Sequence, residues 1–72
     1  LKREQEAIEI SQQMANQGIE LDVVSYNTLL ALYLRLGQPH QISRILTEMN
    51  QRLISPDIVT FNTILDYYAK LN

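Results

Sequence analysis

The chain has 72 residues, a formal net charge of −2, one His and no Cys. Chains below roughly 70–80 residues rarely build a sufficient core unaided, and without Cys there is no disulfide framework or thiolate zinc site. The slight acidity argues against a nonspecific polyanion-binding tail, and no run approaches the roughly 18 apolar residues that a membrane span needs.

Two Gly and two Pro in the whole chain, with few β-branched runs, point to helices. The first predicted helix covers residues 3–17, with Ala7, Ile10 and Met14 as its apolar positions and Glu and Gln around them. Its early Glu residues suit the positive end of the helix dipole, and Gly18 stops it. The second runs from Asp22 to Leu36 and shows Tyr26, Leu29, Leu30, Tyr33 and Leu36 at three- and four-residue steps. Asp22 can accept from free N–H groups of its first turn, Gly37 closes it, and Pro39 restarts the chain at a first-turn position. The third helix, Pro39 to Arg52, has Ile42, Ile45, Leu46, Met49 and Leu53 as its apolar series. Ser55, Pro56 and Asp57 then announce a fourth, Asp57 to Leu71, with Phe61, Ile64, Leu65, Tyr68 and Leu71 on its apolar face.

These elements repeat. DVVSYNTLL at residues 22–30 returns as DIVTFNTIL at residues 57–65, an offset of 57 − 22 = 35. The same offset places Ile10 on Ile45, Met14 on Met49, Ile19 on Ile54, Tyr33 on Tyr68 and Leu36 on Leu71 with no gap. A fixed period in this range is the mark of a repeat architecture. The expected fold is all-α, a solenoid of antiparallel helix pairs with a 35-residue repeat. We divide the chain into the last helix and turn of a partial repeat (1–22), one complete repeat (23–57) and the first helix of another (58–72). A chain that opens on Leu1 and stops in mid-pattern at Asn72 reads as a piece of a longer protein.

Opposite the apolar face of the second helix lie Val24, Asn27, Thr28, Ala31 and Arg35, within an arc of roughly 100°. The fourth helix repeats the stripe as Val59, Asn62, Thr63, Asp66 and Lys70. A polar helix face is usually only a solvated surface. Two details argue otherwise: Asn is a mediocre helix former, and a Val stands on each polar face.

Val23-Val24-Ser25-Tyr26-Asn27-Thr28-Leu29-Leu30, followed by Tyr33, Gly37, Met49, Ile54, Pro56 and Asp57 in one period, resembles the pentatricopeptide repeat in its long-motif class. The likeness covers the whole chain. The tetratricopeptide repeat fits less well, with its 34-residue period and first-helix Trp. The resemblance implies single-stranded RNA binding, one base per repeat. It implies that Asn27 and Asp57 together select a base, and that this Asn–Asp pair prefers uridine. Asp22 and Asn62 would each supply half of a flanking selector pair. Val24 and Val59 match the residues that clamp each base, and Arg35 and Lys70 the basic position facing phosphate. The family mostly works in mitochondria and chloroplasts, in RNA processing. Two positions depart from the pattern: Leu53 stands where Gly is usual, and Leu21 where Pro56 has its partner.

His40, the single His, is expected to be exposed, Met14 and Met49 to fill the core, and Tyr67 to pack on a neighbouring helix. No catalytic motif, metal ligand set or cofactor loop is present, so the chain is not expected to be an enzyme or to hold a cofactor. The expected partners are single-stranded RNA and neighbouring repeats of the same longer chain, with no membrane. The alternative is a protein-binding scaffold, such as a structural component of an organellar ribosome or other large complex.

Overall fold

The computed structural model describes residues 2–71, with side chains from Arg3 onward; Leu1 and Asn72, the outer bounds of the first and last predicted segments, lie outside them. Its helices are α1 (Lys2–Asn16), α2 (Val23–Arg35), α3 (Gln41–Gln51) and α4 (Ile58–Ala69). No strand occurs among the described residues.

The starts of α2 and α4 follow from their caps. Asp22 accepts from the Ser25 N–H at 2.9 Å. Asp57 accepts from the Thr60 N–H at 3.1 Å, while the Thr60 hydroxyl accepts from the Asp57 N–H at 3.1 Å, a reciprocal box that satisfies two otherwise orphan donors. Pro39 sits ahead of α3 rather than in its first turn: two i→i+3 bonds, Gln41 to Gln38 at 3.1 Å and Ile42 to Pro39 at 3.0 Å, lead the chain into a helix starting at Gln41. His40 is exposed there and makes no side-chain cap bond.

The first three helices end the same way. After α1 the Ile19 N–H bonds Met14 O at 2.9 Å and the Gly18 N–H bonds Ala15 O at 3.1 Å. Gln38 with Gly37 repeats this after α2, and Ile54 with Leu53 after α3. This paired pattern requires a left-handed residue at its second-to-last position. Gly18 and Gly37 take φ 78° and 75°, and Leu53 takes φ 61° in the same role.

Packing centres on α2, which touches α1, α3 and α4. Its Tyr26, Leu29, Leu30, Tyr33 and Leu34 are buried, with Ile45 and Met49 of α3, Ile8 of α1 and Leu21. Full burial of side chains such as Leu30, Ile45 and Met49 contributes roughly 1.5–3 kcal/mol each before entropic losses. Polar links at the edge fix how α3 lies on α2. The Tyr26 hydroxyl donates to Glu48 Oε2 at 2.8 Å, and Arg44 Nη2 donates to the Tyr33 hydroxyl at 3.0 Å. Burial first, and then the Glu48 contact, pushes the Tyr26 phenol up to about 12.

Four expectations of burial change. Leu53, placed in the apolar series of the third helix, lies past the end of α3 and is 92% exposed, because it forms the left-handed turn that closes the helix. Ile10 is 58% exposed, and Ile8 takes the buried place in α1, because α1 meets α2 on one side only and turns Ile10 to an open groove. On α4, Phe61, Leu65 and Tyr68 are exposed although they form its apolar face, as is Leu71 just past its end, because α4 meets α2 through Ile64 and Tyr67. Met49 is fully buried, whereas Met14 is only partly so. No helix among the described residues is long and apolar enough to cross a membrane.

Candidate nucleic-acid interface

The groove between α2 and α4 collects the conspicuous polar positions. Its upper half, about 450 Å³, is lined by Val24, Asn27, Thr28, Arg35, Asp57 and Val59 among others. Its lower half is bounded by Arg35, Thr63, Asp66, Tyr67 and Lys70. Arg35 and Thr63 border both halves, so the two form one trough along the helices. Five of the eight anticipated residues line the upper half or join the halves: Val24, Asn27, Asp57, Val59 and Arg35. Lys70 borders the lower half. Asp22 and Asn62 are exposed and belong to neither.

At the head of the trough is a connected polar cluster. Asn27 Nδ2 donates to Asp57 Oδ1 at 3.0 Å across the two elements. The Thr60 hydroxyl donates to Asn27 Oδ1 and is fully buried. Asn27 is only 7% exposed, so its amide is held in one orientation before any ligand arrives. The Asn27 side-chain amide, and then the Thr60 backbone N–H, hold the Asp57 carboxyl below the usual carboxylate range. Asp22 is held low by the Ser25 N–H. Asp57 is therefore anionic at neutral pH. With Asp66 it offsets Arg35 and Lys70, so the trough carries no strong net field.

The side walls differ in character. Val24 and Val59 are exposed apolar groups lining the upper trough. Thr28 and Thr63 bond their own helix backbone, at Val24 O (2.9 Å) and Val59 O (2.7 Å). Their hydroxyl protons are thereby occupied, and hydrogen-bonding capacity concentrates on Asn27 and Asp57.

Sequence reasoning placed Asn27 on a free polar stripe and missed Thr60, which ties it down. The signal was present: Thr60 stands three residues after Asp57, the spacing of a capping partner. Among the described residues no group of three or more His, Cys, Asp or Glu is placed to hold a metal ion.

No curated protein and no solved structure matches the chain. A family model does, over residues 9–70, and its description is pentatricopeptide repeat domain. Paired helices joined by left-handed turns, a repeated Asn-Thr segment and a match over most of the length agree, and the chain belongs to the pentatricopeptide repeat family, helical-repeat proteins with a general role in RNA binding.

Proposed function

We propose that the α2–α4 trough receives one base of single-stranded RNA and prefers uridine. The observation that carries this reading is the Asn27–Asp57 bond at the head of a trough walled by two exposed valines. Asn27 Nδ2 uses one of its two hydrogens on Asp57 and keeps the other. The Asp57 carboxylate, with about four lone-pair sites, receives Asn27 and Thr60 on Oδ1 and retains capacity on Oδ2. A donor next to an anionic acceptor complements the carbonyl and N3–H of uracil. Cytosine lacks that N3–H.

In this reading Val24 and Val59 sandwich the base, and Arg35 and Lys70 hold flanking phosphates. Asp22 and Asn62 are half-sites that read a base only when a further repeat supplies the other half. The segments 1–22, 23–57 and 58–72 are then a partial repeat, a complete one and another partial one. We place the protein in mitochondria or chloroplasts, where the family mostly works, acting on RNA processing without catalysis of its own.

One stacked base contributes about 1–3 kcal/mol, so binding to this chain is weak and calls for NMR rather than filter assays. Titration with oligo-U is expected to move amide signals of α2 and α4 around the trough, with smaller shifts from oligo-C and oligo-A. Asp57→Asn should abolish the difference between U and C. Equal, salt-sensitive shifts from all three oligomers would reduce the site to nonspecific electrostatics, and no shift from any of them would sink the reading in favour of a protein scaffold.

A further inference from the structure

Two polar side chains are buried among the described residues, Asn27 and Thr60, and they bond each other. The Thr60 hydroxyl has a single hydrogen and two acceptors in reach, Asn27 Oδ1 and, at 3.1 Å, Asp57 Oδ1. Asp57 Oδ1 already receives Asn27 Nδ2 at 3.0 Å and the Thr60 backbone N–H at 3.1 Å. Those two donors fill the lone pairs of one carboxylate oxygen. Among the described residues Asn27 Oδ1 has no donor besides Thr60, and it is the nearer acceptor. The hydroxyl hydrogen therefore goes to Asn27. From the other side the Asp57 N–H donates to Thr60 Oγ1 at 3.1 Å and holds the hydroxyl in place.

An Asn amide has two edges, an oxygen that accepts and an NH₂ that donates. Left free, it can offer its N–H to the O4 of uracil or its oxygen to the N4–H₂ of cytosine. We propose that Thr60 is a positioning residue for base choice: by occupying Asn27 Oδ1 it leaves the amide only its N–H edge to show to a base, and so excludes cytosine. This deepens the base-binding reading of the trough and rests on it. Turning the amide over costs the Thr60 bond and sets Oδ1 against Asp57 Oδ1, acceptor against acceptor. The work divides between the partners of Asn27. Asp57 takes the N3–H of uracil, and Thr60 acts through the amide on the exocyclic group. Thr60 is 0% exposed and does not line the trough, so it never touches the base. Ser25 stands three residues after Asp22 as Thr60 does after Asp57, so each period carries a hydroxyl at this place.

Thr60→Val keeps the side-chain shape and the backbone N–H to Asp57 but removes the hydroxyl; Thr60→Ser keeps the hydroxyl. In NMR titrations with oligo-U and oligo-C, Thr60→Val is expected to lower the preference for U over C by roughly fivefold, the worth of one neutral hydrogen bond. Thr60→Ser should restore it. A role in helix capping alone would lower Tm and leave that ratio unmoved, because both oligomers meet the same folded chain. Helical circular dichroism shows whether Thr60→Val folds. The parent chain gives a second readout that needs no variant. The Asn27 side-chain carbonyl carbon, whose shift follows the bond to Oδ1, should stay in place on adding either oligomer, while the Nδ2 protons move with oligo-U. A carbonyl signal that moves on binding would overturn the inference, as would an unchanged U-to-C ratio in folded Thr60→Val, and in both cases base binding itself would stand. No response of the parent to any oligomer would overturn both readings together.

Discussion

Leu53 holds a backbone conformation that its side chain opposes. At φ 61° it closes α3 as Gly18 and Gly37 close the helices before it. The left-handed region costs a non-glycine residue roughly 1–2 kcal/mol. Its side chain is 92% exposed and recovers almost none of that through packing. Leu53→Gly is therefore expected to raise stability by about 0.5–1 kcal/mol after the entropy of a more flexible unfolded chain is counted. A higher urea midpoint at constant m-value checks it. Asn27 is the converse case, since its substitution removes favourable bonds. Asn27→Ala takes away the donor to Asp57 and one acceptor of the buried Thr60 hydroxyl, which still has Asp57 Oδ1 at 3.1 Å, and should lose about 0.5–1.5 kcal/mol. A loss well under that range would mean that water enters the cluster. The carboxyls beside it set an acid limit. Asp22 and Asp57 hold their protons less tightly folded than free. The stability they contribute is complete above the unfolded value of about 3.9 and is lost as pH falls through the lower folded values. Thermal melts should show Tm falling in that acid window, and Asp57→Asn should flatten part of the fall.

Between α2 and α3 the same physics acts at the other end of the pH scale. Tyr26 is buried as a neutral donor to Glu48. Its folded value of about 12 lies above the unfolded phenol value of about 10. The stability linked to that phenol is therefore full below about 10 and drains as pH rises toward the folded value. Tyr26→Phe should remove this alkaline loss. Its cost at neutral pH should be about 1 kcal/mol, because the partly exposed Glu48 keeps Arg44 and Arg52 at 3.8 Å. Denaturant melts at neutral and alkaline pH test both halves. Helix existence was legible in the sequence because capping aspartates and apolar steps fell at the same places in each period, and Gly18 and Gly37 marked the ends of the first two helices. Burial was less so. Periodicity identifies which face of a helix is apolar, not which neighbour covers it: Ile10 and Phe61 sit on correct apolar faces and are exposed, while Ile8 lay outside the repeated pattern and is buried. The polar stripe was found, but its tether was not. Thr60 looked like a mild replacement for Ser25, and only the approach of α4 to α2 brings its hydroxyl onto Asn27.

Across the molecule, stability and the proposed base reading share one cause, the stacking of similar pairs of helices. Each new pair buries a face like that of α4 and completes a cluster like Asn27–Asp57 in a single step. The two properties should therefore rise together when the period is continued covalently. The sequence allows this without invention. Residues 1–70, then the natural turn 36–40, then residues 6–72 keep every position in phase, because the turn restarts the pattern at 71 − 36 = 35 and residue 6 falls at 76 − 6 = 70. The inserted turn brings Gly37 and Pro39, so α4 ends as α2 does and does not run on into the next helix. In that tandem Asn62 of the first half meets Asp22 of the second, and a further base site forms between them. A second stacked base contributes about 1–3 kcal/mol, and about 1.4 kcal/mol is tenfold in affinity. The tandem should bind oligo-U roughly tenfold or more tighter than the parent and melt at higher temperature. Asn62→Ala in its first half alone should return the affinity toward the parent's while keeping most of the gain in Tm. If the affinity rises without the amide, the second base is not read by that pair. If Tm rises with no change in affinity, the stack is structural and the trough does not bind bases.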